Sequence, residues 1–268
     1  MALSDLMKGK KGFVMGVAND HSIAWGIAKT LSDHGAELAF TYQGEQILRR
    51  VEPLAKQVGS DIVLPCDVQK EEEIDSVFAA LENKWGNMDF IVHAIAYSNK
   101  EELKGRYVDT SLDNFLHTMH ISCYSFTSVV RRAADLMKNG GSAVTLSYYG
   151  AEKVMPNYNV MGVAKAALEA STKYLAADLG AQNIRVNAIS AGPMRTLAGS
   201  AIGSARQTFK YNVATAPLRR SVRLDELGNT GLYLLSDLSS AVTGEIHYVD
   251  GGFNKIGMPS HESFKDLA

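Results

Sequence analysis

A chain of 268 residues with 46% apolar side chains is long enough to bury a continuous core within one large α/β domain. Its 27 Lys and Arg against 29 Asp and Glu leave a net charge of -2, which predicts no general attraction to nucleic acid or to an anionic membrane. Two cysteines, Cys66 and Cys123, exclude a disulfide framework and a cysteine-rich zinc site. Seven scattered histidines lack a metal-ligand spacing; His117 and His120 fall three apart on a helix but read as surface residues, so no metal is expected. Met1 to Lys11 lacks the apolar run of a secretory signal, and nowhere do eighteen uncharged apolar residues run together, so the expected location is the cytoplasm.

Apolar strand-like runs alternate with amphipathic helical stretches along the whole chain. That alternation predicts one doubly wound Rossmann-type domain, a seven-stranded parallel sheet with helices on both faces. The strand candidates are Gly12 to Val17, Ala36 to Tyr42, Asp61 to Cys66, Asp89 to Ile95, Ser142 to Ser147, Arg185 to Ile189 and Glu245 to Val249. Between them, helices are expected at Ile23 to His34, closed by Gly35, at Glu45 to Val58, at Glu71 to Lys84 and at Ser111 to Met137. A fifth is expected from Asn157 to Leu179, with Pro156 in its first turn.

The first strand runs into a small-residue loop, Gly16 to Gly26, that opens a helix. Gly16 permits a tight turn, Ser22 offers a hydroxyl near the helix start, and Gly26 lets the helix approach the strand. A pyrophosphate suits such a positive helix end; the competing reading is an ordinary strand-to-helix turn, because the spacing departs from G-x-G-x-x-G. At the end of the second strand stands Gln43, with Glu45 nearby and no basic residue before Arg49, which favours a bare ribose 2'-hydroxyl and hence NADH over NADPH. Asp67 and Val68 close the third strand, where they either meet an adenine ring or merely cap a turn. The fourth strand ends in His93 to Ser98, small and apolar enough for a ribose to lie against backbone.

The stretch Asn157 to Lys165 places a phenol, Tyr158, and an amine, Lys165, seven positions apart. At about 100° per residue they return to within roughly 20° of one direction, so one helical face can present both. A Lys ammonium about 4 Å from a phenol would lower the cost of releasing its proton by up to about 4 kcal/mol at an effective dielectric of about 20. Such a phenol donates a proton near neutral pH. The alternative is a half-buried aromatic beside a solvated lysine.

Taken together, these residues resemble the short-chain dehydrogenase/reductase superfamily, and within it the divergent branch of bacterial NADH-dependent enoyl-[acyl-carrier-protein] reductases. The likeness spans about Lys8 to Gly257. It rests on Ser147-Tyr148-Tyr149-Gly150-Ala151-Glu152, on Pro156 to Lys165, on Arg185 to Ala198 and on Val249-Asp250-Gly251-Gly252-Phe253. Ordinary superfamily members carry Tyr four residues before the Lys, where this chain has Met161; a Tyr seven residues before it is the enoyl reductase pattern.

The resemblance implies that Gly16, Ser22, Ile23, Gln43, Asp67, Val68 and Ile95 contact the dinucleotide. It implies that Met194, Arg195, Thr196, Leu197 and Ala198 hold its nicotinamide and pyrophosphate side, and that Lys165 binds the nicotinamide ribose. Tyr148 and Tyr158 match the active-site tyrosines, and Ser98 matches a substrate position where Ala is common. Tyr149 replaces a more usual Leu and reads as a packing change. The implied reaction delivers hydride from NADH to C3 of a trans-2-enoyl thioester held by acyl carrier protein, with protonation at C2, the final reductive step of fatty acid elongation. An oxyanion-type donor at Tyr158, with the Lys165 charge nearby, would meet the enolate oxygen. Tyr148 would guide the acyl chain or assist the donor, or else it is a strand-end aromatic packed in the core.

Leu197 to Tyr211, rich in Gly, Ser and Ala, reads as a lid over an apolar acyl pocket, with Ala201, Ile202 and Phe209 on its inner face. The competing reading is a surface helix. Met258 to Ala268 reads as a polar tail. The resemblance also implies a homotetramer assembled through long helices flanking the sheet. Two rivals share the fold: a carbonyl reductase of the ordinary type, which would want Tyr in place of Met161, and a dinucleotide sensor without turnover.

Overall fold

A computed structural model of the chain describes residues 5–194, 196 and 205–263. Its strands are Lys11–Met15 (β1), Glu37–Tyr42 (β2), Ile62–Pro65 (β3), Phe90–His93 (β4), Gly141–Ser147 (β5), Ile184–Ala191 (β6) and Ile246–Val249 (β7). They form one seven-stranded sheet in the order β3-β2-β1-β4-β5-β6-β7, every neighbouring pair parallel. The chain order reverses between β1 and β4, the crevice where open parallel sheets take their ligands.

The α-helices are Ile23–Asp33 (α1), Glu45–Gln57 (α2), Glu71–Trp85 (α3), Leu112–Met119 (α4), Ser125–Leu136 (α5), Asn159–Leu179 (α6), Ala205–Thr215 (α7) and Leu224–Leu235 (α8). Strand alternation decides which face each residue serves. Phe13 and Met15 point to one face, where they pack with Phe78 and Leu81 of α3, Phe126 of α5 and Leu168 of α6. Val14 points to the other and packs with Ile27 of α1, Val51 of α2 and Leu227 of α8.

Several expectations shift in detail. β1 stops at Met15 rather than Val17, because Gly16 already turns the chain at φ +93. The expected helix from Ser111 to Met137 is a run of α4, a π-helical turn at His120–Tyr124 and α5, with the Ser111 Oγ accepting from the Asn114 N-H at 3.2 Å. Pro156 does not open a helix. Asn157 and Asn159 take left-handed φ of 57° and 37°, which asparagine tolerates, so Pro156 to Tyr158 form a turn and α6 begins at Asn159. Gly26 serves a different partner from the one expected: a Cβ there would lie 2.5 Å from the Leu224 side chain, so the missing side chain admits α8, not the strand. Gly228 and Gly231 repeat the device from the other side, with Cβ positions 2.7 Å from the Gly26 carbonyl oxygen and the Ile27 side chain.

Candidate active site

The nucleotide half of the site is built mostly from backbone. A Cβ on Gly16 would sit 2.1 Å from the Ala94 carbonyl oxygen, so the ends of β1 and β4 touch through a position only glycine can fill. The Ser22 Oγ accepts from the Ala18 and Asn19 N-H groups at 3.0 and 3.1 Å, so the hydroxyl fixes the loop's shape. Ile23 is the first residue of α1, and the positive end of that helix opens directly off the loop. Gln43 lies exposed past β2, followed by Gly44 at φ 77°. Asp67 does cap its turn, one carboxylate oxygen accepting from the Gln69 N-H at 3.0 Å. Val68 is buried beside it, and Ile95 packs half-buried on the same core.

Beyond β4 the chain is clamped by a polar ladder that sequence reasoning did not single out. Asn114, Thr118 and Ser122 follow one another at intervals of four on one face of α4 and the π-helical turn. The Asn114 side-chain oxygen accepts from the Asn99 N-H at 2.9 Å. Thr118 Oγ1 donates to Ser98 Oγ at 2.9 Å, and Ser122 Oγ accepts from the Tyr97 N-H at 2.9 Å. The only sequence signal was three short polar residues at helical spacing on an otherwise apolar face. Ser98 is therefore tied to α4, which gives its polar side chain a purpose where Ala would leave Thr118 without that acceptor. His117, expected at the surface, is half-buried with its Nε2 unpartnered and its ring 5.3 Å from that of Tyr97.

At the other end of the crevice, α6 grips the end of β5. Lys165 Nζ donates to the Leu146 carbonyl at 2.7 Å, and the Tyr148 and Tyr158 rings meet edge to face at 5.1 Å. Gly150 makes room for this: a Cβ there would lie 2.4 Å from the Tyr158 ring. Tyr158 also packs with Leu103, Val160 and Met161, an apolar cluster that the side chains of Phe115 and Met155 border. Burial sets the electrostatics. It pushes Lys165 down to about 8 and Tyr148 up to about 12, the latter assisted by the Asp250 carboxylate.

The Tyr158 phenol is raised as well, first by burial and then by Tyr148 and Glu169, the reverse of the lowered value expected from its spacing to Lys165. The spacing argument assumed a wet surface pair, whereas both groups are almost fully buried, Tyr158 at 7% and Lys165 at 6% exposure. His93, wholly buried between Thr145 and Ser125, is driven down to about 3 by burial and then by Lys165, so it stays neutral. Among the described residues no group of three His, Cys, Asp or Glu side chains is placed to hold a metal ion.

A family model described as enoyl-(acyl carrier protein) reductase matches residues 16–254. The chain is 59% identical over 263 residues to enoyl-[acyl-carrier-protein] reductase [NADH] 2 of Rhizobium meliloti strain 1021, covering 98% of each. The chain belongs to the enoyl-[acyl-carrier-protein] reductase family. Among solved structures it superposes on FabI from Candidatus Liberibacter asiaticus with a TM-score of 0.94 at 56% identity, covering 96% of this chain and 100% of that one. It also matches the enoyl reductase of Anaplasma phagocytophilum in complex with NAD, with a TM-score of 0.93, 58% identity, and 97% and 99% of the two chains covered.

Other members' motif positions can be placed in this enoyl reductase chain. Met194 is half-buried against the α1 and α8 side of the core, and the Thr196 N-H donates to its carbonyl at 2.9 Å. Arg195, Leu197, Ala198, Ala201 and Ile202 lie outside the described residues, as does the lid segment up to residue 204; the remainder, to Tyr211, belongs to α7. Tyr149 packs edge to face on Tyr248 and Phe253, and Phe253 meets Tyr211 of α7 in the same way, in keeping with a packing change. Asp250, whose carboxylate accepts from the Gly252 and Asn254 N-H groups at 2.9 Å each, folds the Val249 to Phe253 turn and gives that motif a structural reason. A cavity of about 550 Å³ opens beyond β7 between Pro217, Arg220, Glu226 and Lys255, and none of the predicted site residues lines it.

Proposed function

We propose that this chain reduces trans-2-enoyl thioesters on acyl carrier protein with NADH, the last reductive step of a fatty acid elongation cycle, as a single catalytic unit in the cytoplasm. The observation that carries the reading is the fate of two positions, one at the start of α6 and one within it. Met161, where an ordinary dehydrogenase needs its phenol, is buried in the apolar cluster, while Tyr158 meets Tyr148 at the end of β5. NADH is favoured because Gln43, exposed past β2, offers no cation for a 2'-phosphate, and because the Rhizobium relative is named for NADH and the Anaplasma structure contains NAD.

The crevice fits a dinucleotide. Gly16 leaves no side chain between the β1 and β4 ends, the Ser22-braced loop leads into the positive end of α1, and Asp67 retains a second carboxylate oxygen for an adenine amino group. When bound, the nicotinamide supplies the hydride that C3 of the enoyl thioester receives. As negative charge gathers on the thioester oxygen, the Tyr158 hydroxyl donates a hydrogen bond to it. An ammonium has three donors, so Lys165, with one on the Leu146 carbonyl, keeps two for ribose hydroxyls. Tyr148 braces the Tyr158 ring, and Leu103, Phe115, Met155 and Met161 offer apolar surface for the acyl chain. In this reading Met194 to Ala198 would hold the nicotinamide side, Ser98 would border the substrate, and Leu197 to Tyr211 would serve as the lid.

The proposed assembly is a homotetramer formed through the long helices. Leu112 and Leu116 of α4 and Tyr174 of α6 are 70%, 57% and 75% exposed, apolar surface suited to burial against another copy. No helix among the described residues is long and apolar enough to cross a membrane. The test follows nicotinamide absorbance with crotonyl and longer enoyl thioesters, a 3-ketoacyl thioester, NADH and NADPH. Oxidation of NADH with the enoyl thioesters alone is expected; turnover of the 3-ketoacyl thioester instead would make this an ordinary carbonyl reductase.

A further inference from the structure

The last two residues of β5 are held by α6, and Tyr148 just past the strand by the residue that opens that helix. The Leu146 carbonyl takes the Lys165 ammonium, Ser147 Oγ donates to Glu169 Oε1 at 2.5 Å, and the Tyr148 ring rests on Tyr158. The middle contact has no part in the mechanism above. Glu169 stands one helical turn after Lys165 on the same face, and it is only 7% exposed. A glutamate is almost never buried without a partner that repays its desolvation, so its place one turn beyond Lys165 calls for a cause.

We propose that Glu169 is a positioning residue of this active site: ionised, it is the buried counter-charge that keeps the proton on both Lys165 and Tyr158, and through Ser147 it anchors the strand end that carries Tyr148. The proposal rests on the reading of Tyr158 and Lys165 given above. Physically, one negative charge behind the pair acts on both members in the useful direction. An amine near it prefers to stay an ammonium, and a phenol near it prefers to stay neutral, so each remains a hydrogen-bond donor when the thioester oxygen becomes negative. Burial drives Lys165 down, and Cys123 first and then Glu169 oppose that fall; Tyr158 is raised by burial, then by Tyr148 and then by the same carboxylate.

The Glu169 carboxyl is held above the ordinary carboxylate value, chiefly by burial, so its charge is opposed as well as supported by its surroundings. Burial raises its carboxyl, the Ser147 hydrogen bond lowers it, the Glu152 carboxylate from the loop before α6 raises it, and Lys173 and Lys165 on its own helix lower it. From β7, the Tyr248 hydroxyl donates to Glu152 and so draws on the negative charge facing Glu169. In the next strand Ser190 is the parallel ladder neighbour of both Ser147 and Tyr248, and its buried hydroxyl has no partner. These groups form a polar row across three strands beneath α6.

The test uses the full-length assembled enzyme. Glu169→Gln keeps an oxygen for Ser147 and removes the charge. The measurements are the pH profile of kcat/KM and the NADH Kd at pH 6.5 and 8.5. The alkaline limb, expected near pH 8 in the parent from Lys165, should move at least about half a pH unit lower, and the Kd should weaken about threefold at pH 8.5 and little at pH 6.5. An equal loss at every pH with the limb in place would mean packing alone and overturn the proposal. Glu169→Asp, which keeps the charge but draws back from Ser147, should lose kcat and hold the parent limb; a displaced limb there also overturns it, and this variant decides the matter if Glu169→Gln does not fold. Tyr158→Phe run alongside separates the two readings, because retained turnover in that variant defeats the site assignment itself, whatever Glu169 does.

Discussion

The two halves of the sheet's carboxyl edge are constructed on opposite plans. From β1 to β3 the crevice is shaped by the absence of side chains and by short polar groups, Gly16 against Ala94, Ser22 on its own loop, Asp67 on its own turn. From β5 to α6 it is shaped by large titratable side chains taken out of water, Tyr148, Tyr158, Lys165 and Glu169, each displaced from its ordinary pKa by burial first. A cofactor's phosphates and sugars are recognised by shape and backbone dipoles, which need no expensive groups. A developing oxyanion needs preorganised donors in a dry site, and those cost desolvation. The first half should therefore govern binding and the second half chiefly rate, with Lys165 alone serving both.

Variants can break or sharpen that division. The largest effect expected is on Tyr158→Phe, which should lower kcat about 100- to 1000-fold while NADH Kd stays within about twofold. A comparable loss of binding would erase the distinction between halves. Gly16→Ala should do the reverse, because its Cβ meets a backbone oxygen at 2.1 Å in a left-handed φ region. We expect NADH Kd to weaken about tenfold or more by titration, with kcat at saturating NADH much less affected. Gly150→Ala pushes on the Tyr158 ring from 2.4 Å and should cost about tenfold in kcat with NADH Kd preserved.

Smaller effects mark residues that belong to neither half. Arg185 lies in the motif that carried the resemblance, yet its guanidinium binds the Leu234 and Ser236 carbonyls and Ser239 at the end of α8, at 2.8 to 3.0 Å. Arg185→Ala should cost about 2 kcal/mol, or roughly 4–8 °C in melting temperature, with steady-state constants at 25 °C unchanged. His93 is tested by pH instead. Its folded value of about 3 lies below the unfolded value of 6.5, so the unfolded chain takes up a proton that the folded one refuses. Stability should fall as pH drops from about 6.5 toward 3, by up to about 1.4 kcal/mol per pH unit, and His93→Asn should flatten that slope in chemical melts.

The same contrast explains what was legible in the sequence. The strand and helix alternation and the order of elements could be read directly, because hydrophobic period is written in residue types, and Tyr158 and Lys165 stood out as candidates because reactive side chains are written there too. Glycine at Gly16 was readable as a turn, but its contact with Ala94 depends on two strands far apart in sequence. Gly26 was assigned to the wrong neighbour for that reason, since α8 begins nearly two hundred residues later. The Asn114, Thr118 and Ser122 ladder went unseen because short polar residues on a helix resemble solvent-facing ones until the loop they clamp is in place. The direction of the Tyr158 shift was misjudged because spacing gives proximity but not depth, and depth wins.

The most direct measurement uses NADH carrying deuterium at the transferring C4 position, crotonyl thioester and ordinary water, with the product analysed by mass spectrometry and NMR. The account predicts one deuterium at C3, a solvent proton at C2, and the same labelling formed at least about 100-fold more slowly by Tyr158→Phe. Deuterium absent from C3, or transfer at an undiminished rate in that variant, would contradict it.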